Sequence, residues 1–168
     1  QGILNFAGIE PKTPQMWDSV FEMVLFPSLA RLTTEIPLQL KTTKSNGQTN
    51  EINQEYENLK QRTLMMIRSI FKVFLSSYPL LIELPTFSRI WFKLIQFMLN
   101  LTKINDADLI EFIPEMLGNA LLVMKGSGVF EGSDERKQIW LNSVAVIEPI
   151  APAFKTHFSR LEQETKKT

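Results

Sequence analysis

The chain has no cysteine and a single histidine, His157, among its 168 residues. Without cysteine it can form no disulfide and no thiolate metal site, and this composition fits the reducing interior of a cell. One histidine cannot build a multi-histidine metal site, and we interpret His157 as a surface or helix-end residue with no role in an acyl-transfer triad. We therefore expect no metal, no cofactor and no catalytic residue in this chain.

A net charge is also missing, because 18 basic residues balance 18 acidic ones. No global field then draws the chain to nucleic acid, so we expect no nucleic-acid partner, and any attraction to anionic lipid has to be local. The longest apolar runs are much shorter than the roughly 20 residues of a membrane-spanning helix. These features predict a soluble or membrane-peripheral protein. Gln1 opens the sequence without an initiating Met, which we interpret as a fragment of a longer protein.

Apolar residues recur at helical spacing along most of the chain, and no run alternates between apolar and polar residues as a strand would. With 44% hydrophobic residues, the chain can bury one core, so we expect a single helical domain over residues 1–168. The pattern predicts an all-α fold of about six helices, stacked as hairpins in an armadillo- or HEAT-like α-solenoid. The expected helices cover residues 13–34, 51–78, 86–103, 106–125, 133–147 and 149–163.

Three local features qualify this helical pattern. Residues 40–50 read LKTTKSNGQTN, and their Ser, Thr, Asn and Gly content predicts an exposed, mobile loop. Pro27 should kink or divide the first helix, and Pro114 should interrupt the fourth. Residues 126–128, Gly-Ser-Gly, predict the end of the fourth helix rather than a phosphate-binding loop, since such loops open helices.

The span from residue 60 to residue 93 is locally basic, with Lys60, Arg62, Arg68, Lys72, Arg89 and Lys93 against a single acid, Glu83. Arg68 and Lys72 lie one turn apart on the second helix, and Arg62 also lies outside its apolar face. Such a stripe suits a phosphoinositide headgroup, an anionic leaflet or an acidic partner. The candidate membrane or partner contacts are Arg62, Arg68 and Lys72, although these charges equally fit an ordinary solvated face.

The densest acidic cluster, Asp106, Asp108, Glu111 and Glu115, crowds the start of the fourth helix. Negative charge is favourable there because it complements the helix dipole, which accounts for the first three of these residues. The set has neither the spacing of a calcium loop nor a basic or nucleophilic companion. We interpret the cluster as structural, with Asn105 or Asp106 as the helix cap.

Three blocks carry a resemblance to a known family: WDSVFEMVLFPSL at Trp17 to Leu29, LPTFSRIWFKLIQFM at Leu84 to Met98, and EFIPEMLGNALLVMKGSGVF at Glu111 to Phe130. In these blocks the chain resembles the large Golgi-type guanine-nucleotide exchange factors for Arf small GTPases. It is similar to the last of the helical segments downstream of their catalytic domain. The family's exchange reaction uses a glutamate finger in that separate domain, and no matching motif occurs here.

The resemblance implies a non-catalytic regulatory module, cytoplasmic and peripheral on Golgi membranes, that acts in vesicle trafficking. The partners it implies are other domains of the parent exchange factor, small GTPases of the Arf or Rab type, and anionic Golgi lipids, with oligomers formed through the parent protein. The family's roles are not tied to residues that can be transferred to this chain. An alternative reading is a freestanding helical-repeat adaptor that binds partner peptides or small GTPases.

Overall fold

The computed structural model of the chain describes residues 13–45 and 50–166. They contain α1 (Pro14–Val20), α2 (Phe26–Ser45), α3 (Asn50–Leu81), α4 (Phe87–Thr102), α5 (Ala107–Gly126), α6 (Asp134–Ile147) and α7 (Lys155–Lys166). A π-helical turn (Phe21–Leu25) joins α1 to α2, and a 3-10 turn (Pro152–Phe154) leads into α7. The described residues include no strand, so the all-α fold class is confirmed.

The first helical stretch begins at Thr13 and changes its hydrogen-bond pattern before Pro27. The side-chain oxygen of Thr13 accepts the N–H of Met16 (3.4 Å), and Pro14 occupies the first helical position, where its missing N–H has no cost. In the π turn the N–H of Phe26 donates to the carbonyl of Phe21, five residues back. Because Pro27 has no N–H, the regular pattern fails there. The predicted division at Pro27 is thus a π turn that directly precedes it.

Three further prolines lie inside helices: Pro37 in α2, Pro79 in α3 and Pro114 in α5. The expected interruption at Pro114 is wrong: the proline removes one backbone hydrogen bond, but its side chain is buried and packing holds the helix together on both sides.

The loop expected over residues 40–50 overlaps two helices. Helix α2 runs through Ser45 and α3 begins at Asn50, and residues 46–49 of the predicted loop lie outside the described residues. Ser and Thr lower helix propensity by only a few tenths of a kcal/mol relative to good helix formers. That difference is too small to end a helix before residue 45.

The chain divides into two compact units, residues 1–109 and 110–168. The single domain expected over residues 1–168 stays a prediction, since compact units can belong to one helical array. The core of the first unit is built around Phe74 of α3, which is fully buried. Its ring stacks on Trp91 with centroids 5.2 Å apart, on Phe87 at 6.3 Å, and meets Phe21 edge-on at 6.0 Å. Phe74 therefore ties α3 to both α4 and the π turn.

The second unit has its own aromatic core at Trp140 of α6. The indole lies 5.6 Å from the ring of Phe130 and meets Phe158 of α7 edge-on at 5.9 Å. Gly128 (φ 75°) provides the left-handed turn that ends α5, and the N–H of Val129 donates back to the carbonyl of Met124 (3.1 Å). This helix end, expected from the Gly-Ser-Gly sequence, places Phe130 on the core.

One stretch of α3, residues 53–81, is long and apolar enough to cross a membrane by length and composition alone. The core helices of packed proteins meet the same criterion. Ile67, Ile70 and Phe71 on this stretch are completely buried, and 39% of its most apolar window is buried within the protein. Packing within the protein therefore accounts for part of its apolar character.

Candidate contact surface

A buried ion cluster centred on Lys60 joins α3 to the start of α5. The Lys60 ammonium lies 2.7 Å from Asp108, 2.9 Å from Glu57 and 3.5 Å from Asp106, and its side chain is 7% exposed. The Tyr56 hydroxyl donates to Oδ2 of Asp106 at 2.7 Å. Oδ1 of Asp106 accepts the N–H groups of Asp108 (3.0 Å) and Leu109 (3.3 Å). Asp106 is thus both the expected cap of α5 and a partner of α3.

The cluster shifts the pKa values of Lys60, Asp106 and Tyr56, and the shifts of Lys60 and Asp106 favour their charged forms. Burial alone would lower the pKa of Lys60, but hydrogen bonds to Asp108 and Glu57 and the charge of Asp106 outweigh it and raise the pKa. Burial alone would raise the pKa of Asp106, but the hydrogen bonds from Tyr56 and from the backbone, with the charge of Lys60, hold it below its usual value. Burial and the hydrogen bond to Asp106 raise the pKa of Tyr56. The cluster is a structural ion cluster, because none of these pKa values is shifted toward neutral pH as acid–base catalysis would require.

Because of this ion cluster, we expect the free energy of unfolding to fall at acidic pH. Because the folded state lowers the pKa of Asp106, its contribution is present above about pH 4, the usual pKa of an unfolded Asp. The contribution is lost as the pH falls through the folded value. Urea unfolding at pH values from 7 down to 3 should show stability falling below about pH 4, and the fall should be shallower in Asp106→Asn. Asp134→Asn, which removes a fully exposed carboxylate, should keep the wild-type slope; a slope unchanged by Asp106→Asn would contradict the assignment.

Half of the basic span is neutralised within the first unit. Besides Lys60, Arg89 lies 3.3 Å from Glu22 and 3.7 Å from Asp18, and Lys93 lies 2.8 Å from Glu22. Lys93 also sits 4.8 Å above the Phe26 ring. These pairs attach α4 to α1 and the π turn. The other three cations of this span, Arg62, Arg68 and Lys72, all lie on α3.

Arg62, Arg68 and Lys72 are exposed, as the sequence predicted. Together with Met65, which is 67% exposed, they form a line in which each residue lies three or four positions from the next, and thus about one helical turn away. We call these four residues the α3 ridge. Arg62 at one end also lines a groove with Glu35 and Glu55. The ridge combines three cations with one accessible apolar side chain.

The acidic residues at the start of α5 were expected to have no basic companion, and this is wrong, because Lys60 contacts Asp106 and Asp108. The sequence also did not single out Tyr56, whose hydroxyl partner Asp106 is 50 residues away. The sequence alone does not distinguish Lys60 from the exposed cations near it, because the acids at the start of α5 contact it only in the folded chain. Among the described residues, no group of three or more His, Cys, Asp or Glu side chains could hold a metal ion.

Comparisons with known proteins place these helices in a family. Residues 3–154 match the family described as "GBF1-like, tetratrico peptide repeat region". The ARF guanine-nucleotide exchange factor GNOM of Arabidopsis thaliana is 30% identical over 119 residues, which make up 68% of this chain but 7% of that protein. No solved structure matches the chain. This chain belongs to the GBF1-like tetratrico peptide repeat family and is a helical segment related to Arf guanine-nucleotide exchange factors.

Proposed function

We propose that this segment is a non-catalytic contact module of an Arf guanine-nucleotide exchange factor that helps hold the factor on anionic Golgi membranes. The protein would then be cytoplasmic and peripheral, with a role in vesicle trafficking. The α3 ridge is the observation that carries the proposal. Its three cations and Met65 share one exposed side of a helix whose other side is packed in the core.

The physical basis is the negative surface potential of an anionic leaflet. Lys and Arg near such a surface gain electrostatic energy within about one Debye length, some 8 Å at physiological ionic strength. Met65 can enter the interface while the flanking cations stay among the headgroups, as amphipathic side chains do. The relation to an Arf exchange factor supports a membrane setting for this surface, and it also admits other domains of that factor and small GTPases of the Arf or Rab type as partners.

Liposome flotation tests this proposal. We expect the chain to float with vesicles containing phosphatidylserine and phosphoinositide and not to float with neutral vesicles. Raised salt should release the chain from the anionic vesicles. In R62E/R68E/K72E the partition coefficient should fall by about tenfold or more, because each cation adds to the attraction.

The matched control is K103E/K137E/R160E, which makes the same change in net charge at exposed positions just after α4, in α6 and in α7. It should float like the unmodified chain. Equal flotation of the ridge variant and this control would remove the α3 ridge from membrane binding. Absence of flotation at any salt concentration would favour the alternative, a helical-repeat adaptor that acts through protein contacts only.

A further inference from the structure

A second accessible surface lies in the unit formed by residues 110–168. It is a groove of about 420 Å³ between the first half of α5 and the turn that leads into α7. Most of its lining is apolar: Ile110, Pro114, Ile150, Ala151, Pro152, Ala153 and Phe154. Ile110 is 45% exposed, so that apolar surface remains accessible there. The volume suits one or two apolar side chains of a ligand.

The charged residues in the lining of this groove are both acidic. Glu111 and Glu115 line it on α5, are exposed, and lie one helical turn apart. An apolar floor bordered by two carboxylates is complementary to a ligand with apolar side chains and cationic donors.

The opposite wall of the groove is held in place by close packing and backbone hydrogen bonds. A Cβ at Gly118 would lie 2.6 to 2.8 Å from atoms of the Phe154 ring, so the ring lies directly against α5 at the glycine. The N–H of Ala151 donates to the carbonyls of Ile147 (3.0 Å) and Glu148 (3.2 Å). The N–H of Phe154 donates to the carbonyl of Ala151 (3.0 Å). Because the groove is already ordered before a ligand binds, binding does not include the entropic cost of ordering its walls.

We propose that this groove binds a basic peptide segment in which Leu-type side chains are accompanied by Lys or Arg residues four positions apart. The cations pair with Glu111 and Glu115, one turn apart, while the apolar side chains cover Ile110 and Ile150. This inference does not depend on the proposed membrane contact, because the groove and the α3 ridge belong to different units.

Methyl NMR of the 168-residue chain, without lipid, tests the inference with the peptide acetyl-AKLAAKLAA-amide. We expect the methyl signals of Ile110 and Ile150 to shift during the titration, while those of Ile67 and Ile70 in the other core stay in place. The peptide acetyl-AELAAELAA-amide should cause no such shifts. E111Q/E115Q should raise the Kd about tenfold, as the loss of two accessible ion pairs allows.

The matched control is E131Q/E135Q, which removes two exposed carboxylates with the same spacing from the same unit but outside the groove. It should bind the basic peptide with unchanged Kd. Equal affinity for the two peptides, an unchanged Kd in E111Q/E115Q, or no shift at about 2 mM peptide, the upper range of weak binding, would each overturn the proposal. Concentration-dependent shifts of Ile110 and Ile150 without peptide would overturn it in favour of a second copy of the chain.

Discussion

Phe74→Ala is expected to lower the free energy of unfolding of this chain by about 3–5 kcal/mol, the range seen for truncation of fully buried aromatic residues. Phe74 has no exposed surface. Its ring also contacts Trp91, Phe87 and Phe21, and such aromatic pairs contribute about 0.5–1.5 kcal/mol beyond burial. The substitution leaves a cavity where α3, α4 and the π turn meet, and the neighbouring rings can refill it only in part.

Equilibrium urea unfolding followed by Trp fluorescence measures this effect, since Trp91 reports on the first unit and Trp140 on the second. Met65→Ala is the control on the same helix: it removes a side chain that is 67% exposed and should change the unfolding midpoint little. A loss below about 1 kcal/mol in Phe74→Ala, typical of a partly exposed site, would show that Phe74 does not hold the core.

The all-α fold class could be predicted from the sequence, because a helix that buries one face has apolar residues at a spacing of three or four positions. Ile67, Ile70, Phe71 and Phe74 repeat at three or four residues and are all completely buried. Prolines were a poorer guide. A proline costs a helix about 3 kcal/mol, a local quantity, and whether the helix continues depends on packing further along the chain. Pro114 is buried inside α5, and no local pattern reports that burial.

The candidate surfaces differ in how far the sequence could define them. Exposure of Arg62, Arg68 and Lys72 followed from their positions off the apolar face of one helix. The groove at Glu111 and Glu115 did not follow, because its walls are about 40 residues apart in sequence and are brought together by Phe154 packing on Gly118. Glu111 was assigned to favourable placement near a helix start, and Glu115 to the same acidic cluster, which describes their own helix but not the residues opposite them.

Lys60→Met is expected to cost about 3 kcal/mol of stability, at the lower end of the about 3–5 kcal/mol for breaking a buried ion pair. Methionine keeps much of the lysine's length but removes the charge that three carboxylates share. Asp106, whose side chain is 12% exposed, then keeps the Tyr56 hydroxyl and two backbone N–H groups but has no cation. Glu57 and Asp108 are about half exposed and regain water, which limits the loss.

A double-mutant cycle separates the charge interaction from the packing of the lysine stem. If the buried charge of Asp106 is what destabilises Lys60→Met, then adding Asp106→Asn should cost less in that background than in the unmodified chain, because the partner is already gone. Lys137→Met, which removes a cation 3.9 Å from an exposed Asp134, should leave the unfolding midpoint unchanged. Full additivity of the Lys60 and Asp106 substitutions would mean that the two side chains are not coupled, and the ion pair that links α3 to the start of α5 would then be that of Lys60 with Asp108 (2.7 Å).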